Sequence, residues 1–293
     1  MSSTSQLGKI SCVTVSAPDL EAIETVYARN FGYQVAERSE VSEAQAKLWG
    51  CEGMAGAKVL IMNPESGTDF TFRFIEREKQ EDYVSLTDWG WNASEVLVEN
   101  VDALAEKLVE GDFEILGEPK NLSFTDDIRA MQLRGPADEV LYMTELKAPI
   151  PGMDLPTAKS FVDNTFIVIL GGGDINAMID FYNGEFDVPK AAPIESRVTG
   201  LAKAFGMDIE TRFPIAALAI RDQNMVEVDE LPEQAGPRPS KDGLLPPGIA
   251  MVSFRSNAAA PATAINASGL PYNGNAASCV SGAADELIEL IHG

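Results

Sequence analysis

The sequence predicts an α+β fold in which one unit, a strand followed by a helix and three more strands (βαβββ), occurs four times in tandem. Alternating, β-rich segments are followed by helical segments at four places in the 293-residue chain. A segment with three prolines, residues 146–156, divides the chain near its middle. An internal repeat of this size is the observation that decides the fold class.

The elements follow the same order in each module. The predicted first strands cover residues 9–16, 94–99, 161–170 and 248–255. Asp19, Asn100 and Asp174 are the predicted N-caps of the first three helices, because their side chains can accept hydrogen bonds from free backbone N–H groups; the fourth helix covers 258–267. The other extended segments are 33–41, 58–62, 70–76, 113–116, 123–133, 139–145, 194–199, 213–221, 225–229, 269–274, 276–281 and 286–291.

The proline-rich segment sets the predicted domain boundaries. We place one two-module domain at residues 1–147 and a second at 160–293, joined by a linker at 148–159.

Composition and charge exclude several classes of partner. A net charge of −23, from 22 Lys and Arg against 45 Asp and Glu, argues against nucleic acid and anionic membranes, which are bound through basic patches. No targeting segment or membrane-spanning run is recognisable, so we expect a cytoplasmic protein. Three separated cysteines predict no disulfide framework. The single histidine, His292, is expected to be frayed and solvated.

The order of the modules and a few short motifs resemble one known superfamily. Residues 26–33 (VYARNFGY) and 181–186 (FYNGEF) resemble its "FY…lGF" helix end, and the strands around Glu227 and Glu289 resemble its "IEL" closing strand. On these residues the chain is similar to the vicinal oxygen chelate superfamily, which includes glyoxalase I, extradiol dioxygenases and bleomycin- and fosfomycin-resistance proteins. The resemblance implies that paired modules form two half-open mixed-sheet barrels, each around a cavity.

The superfamily's metal-ligand positions can be placed on this sequence. Its first-strand histidine falls on Cys12, near Ala93, at residues 164–166 and near Met251, and none of these is histidine. An extradiol dioxygenase, which needs two histidines and a carboxylate, is therefore rejected. The last-strand glutamate falls on Arg73, Tyr142, Glu227 and Glu289, so only the second half of the chain retains it.

The residues that this resemblance singles out allow two arrangements. If the third and fourth modules pair, Glu227 and Glu289 form a carboxylate pair, which could hold a divalent ion such as Mg²⁺ or Mn²⁺ weakly or act as a metal-free general base. If the first module pairs with the fourth and the second with the third, Glu289 meets Arg73 and Glu227 meets Tyr142. The alternative without a functional role is that both glutamates lie at strand edges, exposed to water.

Two further features have structural alternatives. Cys12 is a candidate nucleophile without a histidine partner, and a buried packing thiol is the simpler interpretation. Trp49, Trp89 and Trp91 could wall an aromatic pocket or pack in a core or interface.

The predicted function follows from the fold by analogy. It is a glyoxalase-like lyase or isomerase acting on a small oxygenated metabolite, aromatic ones included, with Glu289, Glu227, Tyr142 and Arg73 as catalytic residues. The alternative is a small-molecule sequestering protein of the bleomycin-resistance type. A small molecule is the expected partner, and a homodimer is kept as a candidate assembly.

Overall fold

The computed structural model describes residues 5–122, 125–150 and 154–293. Within these ranges each of the four modules contributes strands in the predicted order. The first module comprises β1 (Leu7–Ala17), α1 (Leu20–Phe31), β2 (Gln34–Glu40), α2 (Glu43–Leu48), β3 (Lys58–Asn63) and β4 (Thr71–Glu76). The second comprises β5 (Gly90–Val98), α3 (Val101–Lys107), β6 (Glu114–Leu122), β7 (Thr125–Arg134) and β8 (Val140–Leu146).

The second half of the chain repeats this plan with one omission. The third module comprises β9 (Val162–Gly172), α4 (Ile175–Phe186), β10 (Ile194–Arg197), α5 (Thr199–Ala204), β11 (Arg212–Ala219) and β12 (Met225–Glu230). The fourth comprises β13 (Gly248–Ser256), β14 (Ile265–Asn266), β15 (Ala276–Ser281) and β16 (Leu287–His292) and contains no helix among its described residues.

The strands form two curled, mixed sheets of eight strands each in the described residues, which confirms the predicted fold class. The first sheet has the order β14-β15-β16-β13-β1-β4-β3-β2, and the second β10-β11-β12-β9-β5-β8-β7-β6. The first module therefore pairs with the fourth, and the second with the third.

The pairing of the modules crosses the predicted boundary between the two domains. Neither predicted domain, 1–147 or 160–293, contains a complete sheet, because β1 pairs antiparallel with β13 and β5 with β9. Each half contributes one module to each sheet. The linker at 148–159 forms no helix or strand where it is described, and its residues 151–153 lie outside the described ranges.

One large apolar core lies between the helices and the two sheets. It includes Val13 of β1, Val96 of β5, Val168 of β9 and Val252 of β13, together with the buried sides of α1 and α4. Alternate residues on these strands point to the opposite faces, where each sheet curls around its own interior. The candidate residues lie on those inner faces.

The helix starts confirm the predicted caps. The Asp19 carboxylate accepts hydrogen bonds from the backbone N–H groups of Glu21 and Ala22, and Asp174 does the same for Asn176 and Ala177. A side-chain acceptor at this position satisfies donors that the helix itself cannot pair.

Two buried tyrosine–glutamate pairs connect the sheets. The Tyr27 hydroxyl on α1 donates to Glu139 Oε1 at 2.8 Å, and the Tyr182 hydroxyl on α4 donates to Glu286 Oε1 at 3.1 Å. Each glutamate lies just before the last strand of a module in the other sheet, in the related segments 135–140 (GPADEV) and 282–287 (GAADEL). The two pairs are thus equivalent features of an internally repeated molecule.

Two predicted elements in the fourth module are wrong. No helix forms at 258–267, because Pro261 removes a backbone donor and the small residues around it offer no apolar face to bury. Residues 269–274 form turns instead of a strand, with Gly269, Asn273 and Gly274 at positive φ. The missing helix leaves this module shorter than the other three.

The structure adds two short helices and corrects the placement of His292. Ser42 and Gln45 form a capping box at the start of α2, a signal that the sequence contained. His292 is buried at the end of β16, with Nε2 2.8 Å from Ser278 Oγ and Nδ1 3.0 Å from the Ala258 carbonyl oxygen.

In the described part of the chain, no helix is both long and apolar enough to cross a bilayer.

We predict that the two tyrosine–glutamate pairs stabilise the fold independently. Tyr27→Phe removes the buried donor to Glu139 and should lower the free energy of unfolding by about 1–3 kcal/mol, as should Tyr182→Phe at Glu286. Since the pairs share no partner, the losses should add in the double variant. Urea unfolding at pH 8 measures this. A double variant as stable as either single variant would contradict it.

Candidate functional site

Glu289 is fully buried on the inner face of the first sheet. β16 alternates as the sequence predicts, with Ile288 and Leu290 in the large core and Glu289 on the opposite face. The edge-of-strand alternative for this residue is therefore wrong.

Both oxygens of the Glu289 carboxylate are occupied by protein donors. Oε1 accepts from Trp49 Nε1 at 2.8 Å and from the Tyr272 hydroxyl at 2.7 Å. Oε2 accepts from Arg73 Nη2 at 2.9 Å and from the Ser253 hydroxyl at 2.6 Å. Four donors saturate a carboxylate, so no open position for a substrate or metal remains at Glu289.

Arg73 is equally well satisfied and provides the cation for this cluster. Its Nε donates to Thr14 Oγ1 at 2.9 Å and its Nη1 to the Tyr272 hydroxyl at 2.7 Å. The guanidinium carbon lies 4.9 Å from the ring centre of Trp49 and 5.7 Å from that of Tyr272. Burial opposes the Arg73 charge, but Glu289 and Tyr272 outweigh it and raise its pKa.

This cluster fills the interior of the first sheet with the protein's own side chains. Of the two arrangements that the sequence allows, the one in which Glu289 meets Arg73 is the one that forms. Because Arg73 and Glu289 satisfy each other and are almost inaccessible, the geometry favours a structural role for this pair over the expected catalytic one.

The second sheet carries carboxyl groups at the corresponding place. Glu227 on β12 lies on the inner face with Asp229, two residues further along the same strand. Glu95 on β5 pairs with Tyr142 of β8, and Thr144 Oγ1 donates to Glu95 Oε1 at 2.7 Å. Glu95, Tyr142 and Glu227 are partly exposed, unlike Arg73 and Glu289 of the first sheet.

Asp229 is the buried member of this group. Its side chain is 1% exposed, and its Oδ1 has no hydrogen-bond partner in the described structure. A buried carboxyl oxygen without a partner is costly in free energy, since neither water nor protein replaces its lost solvation. Such a group indicates a missing partner.

The protonation of the group is shifted by its surroundings. Burial, reinforced by the charge of Glu227, raises the pKa of Glu95 to about 8. Burial raises the pKa of Glu227 to about 7, and burial together with Glu227 raises the pKa of Asp229 well above its usual range. Glu95 and Glu227 therefore titrate closer to neutral pH than ordinary surface carboxylates do.

The strand registers align the two interiors residue by residue. Thr14 pairs with Arg73 as Glu95 pairs with Tyr142, and Ser253 pairs with Glu289 as Ile169 pairs with Glu227. The matched positions, first sheet before second, are Thr14 and Glu95, Arg73 and Tyr142, Ser253 and Ile169, Glu289 and Glu227, and Ile291 and Asp229. Compared with the first sheet, the second has Tyr142 at the position of the Arg73 cation. It also has the carboxyls of Glu95 and Asp229 at the positions of Thr14 and Ile291.

The carboxylate pair expected from Glu227 and Glu289 does not form. The two residues belong to different sheets, and Glu289 is already held by four donors. Over residues 5–122, 125–150 and 154–293, no three His, Cys, Asp or Glu side chains are placed to hold a metal ion. The predicted divalent ion at Glu227 and Glu289 is therefore not supported by the geometry.

The remaining candidate residues are structural. Burial raises the pKa of the Cys12 thiol, as expected for a packing cysteine. Trp49, Trp89 and Trp91 do line one cleft, of about 410 Å³, between the sheets. Trp49 and Trp91 are nearly buried, however, and Trp91 Nε1 donates to the Leu287 carbonyl oxygen at 2.8 Å. Through Trp49, which donates to Glu289, this cleft adjoins the first-sheet cluster, whereas Glu227 and Glu95 do not line it.

Glu95 and Asp229 were not recognised from the sequence. Both follow the signal that identified Glu289, a carboxylate at an alternate position of an otherwise apolar strand. Glu95 in residues 94–98 (SEVLV) and Asp229 in residues 225–230 (MVEVDE) could have been found by it.

Comparison with known proteins identifies the architecture. No protein-family model and no curated protein matches the sequence. Among solved structures, glyoxalase I from Zea mays is 15% identical, with a TM-score of 0.63 over 97% of this chain and 92% of that one. A putative dioxygenase from Bacillus subtilis strain 168 is 11% identical, with a TM-score of 0.61 over 98% and 85%. The chain has the vicinal oxygen chelate fold. At such low sequence identity, the structural similarity establishes the fold and not the function.

We predict that Arg73 and Glu289 are energetically coupled. Arg73→Met alone leaves a buried, uncompensated carboxylate and should cost about 3–5 kcal/mol of stability. Adding Glu289→Met should restore part of that loss, because the orphaned charge is removed. A double-mutant cycle by urea unfolding checks this, and strictly additive losses would contradict the coupling.

We also predict that stability falls as the pH rises from about 5 to 8. Glu95, at about 8, and Glu227, Glu139 and Glu286, at about 7, all have folded-state pKa values above the ordinary value of 4.5. The folded state therefore binds more protons than the unfolded state in this window, and raising the pH removes that advantage. Melting temperatures across this range measure it.

The variants Glu95→Gln and Glu227→Gln provide the internal check. Each should flatten the decline, because glutamine cannot ionise, whereas Glu233→Gln at an exposed position should leave it unchanged. Stability that rises between pH 5 and 8 in the wild type would contradict the assignment.

Proposed function

We propose that the inner face of the second sheet is the functional site, and that the protein is a glyoxalase-like lyase or isomerase acting on a small oxygenated molecule by carboxylate acid–base chemistry. The observation that carries this proposal is the placement of Glu227, a partly exposed last-strand glutamate with no basic residue bonded to it in the described structure, on one face with Glu95 and Tyr142. The equivalent residues of the first sheet are sealed.

Glu227 is the proposed general base. Its pKa of about 7 lets it be ionised in part of the population at neutral pH while remaining basic enough to accept a proton from a carbon beside a carbonyl. A carboxylate that is only partly solvated is a stronger base than a fully solvated one because its charge is less well stabilised.

Glu95 and Tyr142 are the proposed acids. Burial, then the nearby carboxylates, raises the pKa of Tyr142, and that of Glu95 is about 8, so both carry a proton at pH 7. A protonated oxygen can donate a hydrogen bond to the enolate oxygen that develops when the base removes the proton. The site thus holds a base on β12 and proton donors on β5 and β8, on one face of the same sheet.

Fold similarity supports the reaction class but does not decide it. The likeness to glyoxalase I from maize agrees with isomerase or lyase chemistry by analogy. The absence of histidine at Cys12, Ala93 and Met251 favours the alternative, in which the site binds and sequesters a small molecule without turnover. A homodimer remains a prediction under either function.

Solvent deuterium exchange tests the proposal and does not require the natural substrate. Small enolisable carbonyl compounds, aliphatic and aromatic, are incubated with the protein in D₂O, and exchange at the carbon beside the carbonyl is followed by NMR. We predict catalysed exchange that falls at least about 100-fold in Glu227→Gln, the usual loss for a general base.

Two variants serve as matched controls. Glu233→Gln removes an exposed carboxylate of the same module and should exchange at the wild-type rate. Glu289→Gln changes the other sheet and should retain exchange in whatever fraction stays folded. Full exchange activity in Glu227→Gln would contradict the proposed base, and binding without exchange would favour sequestration.

A further inference from the structure

We propose that the second-sheet site binds an organic cation, a guanidinium or alkylammonium group, in the position that the Arg73 side chain fills in the first sheet. This inference rests on the proposed function only in placing the ligand site on the second sheet. It adds the chemical class of the ligand, which the reaction class leaves open.

The first sheet shows how this architecture holds a cation. The Arg73 guanidinium donates to the last-strand carboxylate of Glu289 and lies against the rings of Trp49 and Tyr272. Carboxylate contacts and aromatic faces are the two features that recognise guanidinium and ammonium groups. The chain itself supplies the cation, and Arg73 and Glu289 are almost inaccessible.

The second sheet retains the acceptor and lacks the cation. Glu227 occupies the position of Glu289, but Tyr142 replaces Arg73, and Glu95 replaces Thr14, which bonds to Arg73 in the first sheet. Both changes make the interior more negative. No arginine or lysine forms an ion pair with Glu95, Glu227 or Asp229 among the described residues.

The basic residues of the neighbouring elements are turned to other partners. Lys203 on α5, the helix that lies over Tyr142, donates to the Leu116 carbonyl oxygen at 2.8 Å. Lys120 on β6 donates to Thr199 Oγ1 at 3.1 Å. The protein therefore supplies no internal counter-ion here, in contrast to the first sheet.

Asp229 gives independent evidence that a donor is missing. Its position in the first sheet is taken by the apolar Ile291, whereas Asp229 is only 1% exposed, with Oδ1 unpartnered among the described residues. Burying an unpaired carboxyl is unfavourable unless a ligand compensates for it. A cationic N–H donor bound beside Glu227 would provide that compensation.

Apolar groups on both sides of the carboxyls favour an organic cation over a bare ion. Leu97, Phe166 and Ile167 lie toward one end of the inner face. Ala93, Ile169 and Leu201 lie toward the other. A cation with a small apolar substituent can pair its charge with the carboxyls while its hydrocarbon part contacts these side chains.

Binding of two simple cations to the full-length protein tests the inference. Methylguanidinium and n-butylammonium chloride are titrated at pH 8 and followed by calorimetry and thermal shift, with N-methylurea, 1-butanol and matched sodium chloride as comparators. We expect the cations to bind and raise the melting temperature, whereas the neutral analogues of the same shape do not. Equal responses to cation and neutral analogue would overturn the inference.

The affinity should also increase from pH 6 to pH 8. The groups facing the ligand are Glu95 on β5, Tyr142 on β8, and Glu227 and Asp229 on β12, with Lys203 on α5 directed away. Because the carboxyls must lose protons to pair with a cation, binding should release protons, which calorimetry in buffers of different ionisation enthalpy detects. Affinity independent of pH would count against the assignment.

Three variants separate recognition from folding. Glu227→Gln should weaken cation binding at least about tenfold, because a charge-assisted hydrogen bond becomes a neutral one. Tyr142→Arg places a guanidinium in the site, as in the first sheet, and should raise the melting temperature and abolish binding. Glu233→Gln, at an exposed position outside the site, should still bind. Wild-type binding in both Glu227→Gln and Tyr142→Arg would overturn the inference.

The outcomes also distinguish this inference from the proposed function. Proton exchange lost in Glu227→Gln, with no preference for cations, would leave the proposed function standing and remove the inference. Cation binding that requires Glu227, without any exchange activity, would support the inference and favour sequestration.

Discussion

The antiparallel pairing of first strands, β1 with β13 and β5 with β9, is the constraint on which the rest of the molecule depends. It decides which last strands share an interior, since each last strand is parallel to the first strand of its own module. Glu289 is thereby placed with Arg73, and Glu227 with Tyr142. A pairing of neighbouring modules in the second half would have joined the two glutamates and given a different chemistry.

Each sheet carries a last-strand glutamate on its inner face, but the surroundings of that glutamate differ between the two sheets. In the first, an ion pair, two aromatic rings and two hydroxyls satisfy the charge from within and leave no open position at Glu289 itself. In the second, no ion pair compensates for the carboxyls in the described residues, and burial raises the pKa of Glu95 to about 8 and that of Glu227 to about 7. The two interiors therefore differ in charge, because only the first pairs its last-strand glutamate with an arginine among the described residues.

The sequence predicted local features better than global ones, for physical reasons. Asp19 and Asp174 as helix caps and the alternation around Glu289 depend on neighbouring residues only, and all three are confirmed. The pairing of modules depends on contacts between strands far apart in the chain, and all four first strands are similarly apolar. Glu95 and Asp229 do not fall on the superfamily's ligand positions, so the resemblance did not single them out. The helix predicted at 258–267 does not form because Pro261 outweighs the helix propensity of the neighbouring alanines.

Carboxyl footprinting measures the central claim most directly, namely that Glu227 and Glu95 of the second sheet are accessible and Glu289 of the first sheet is sealed. The folded protein is treated with a carbodiimide and an amine, and the modified residues are located by mass spectrometry. We predict that Glu227 and Glu95 are modified in the native state, while Glu289 is modified only after unfolding. Native-state modification of Glu289 to the same extent as Glu227 would contradict the account.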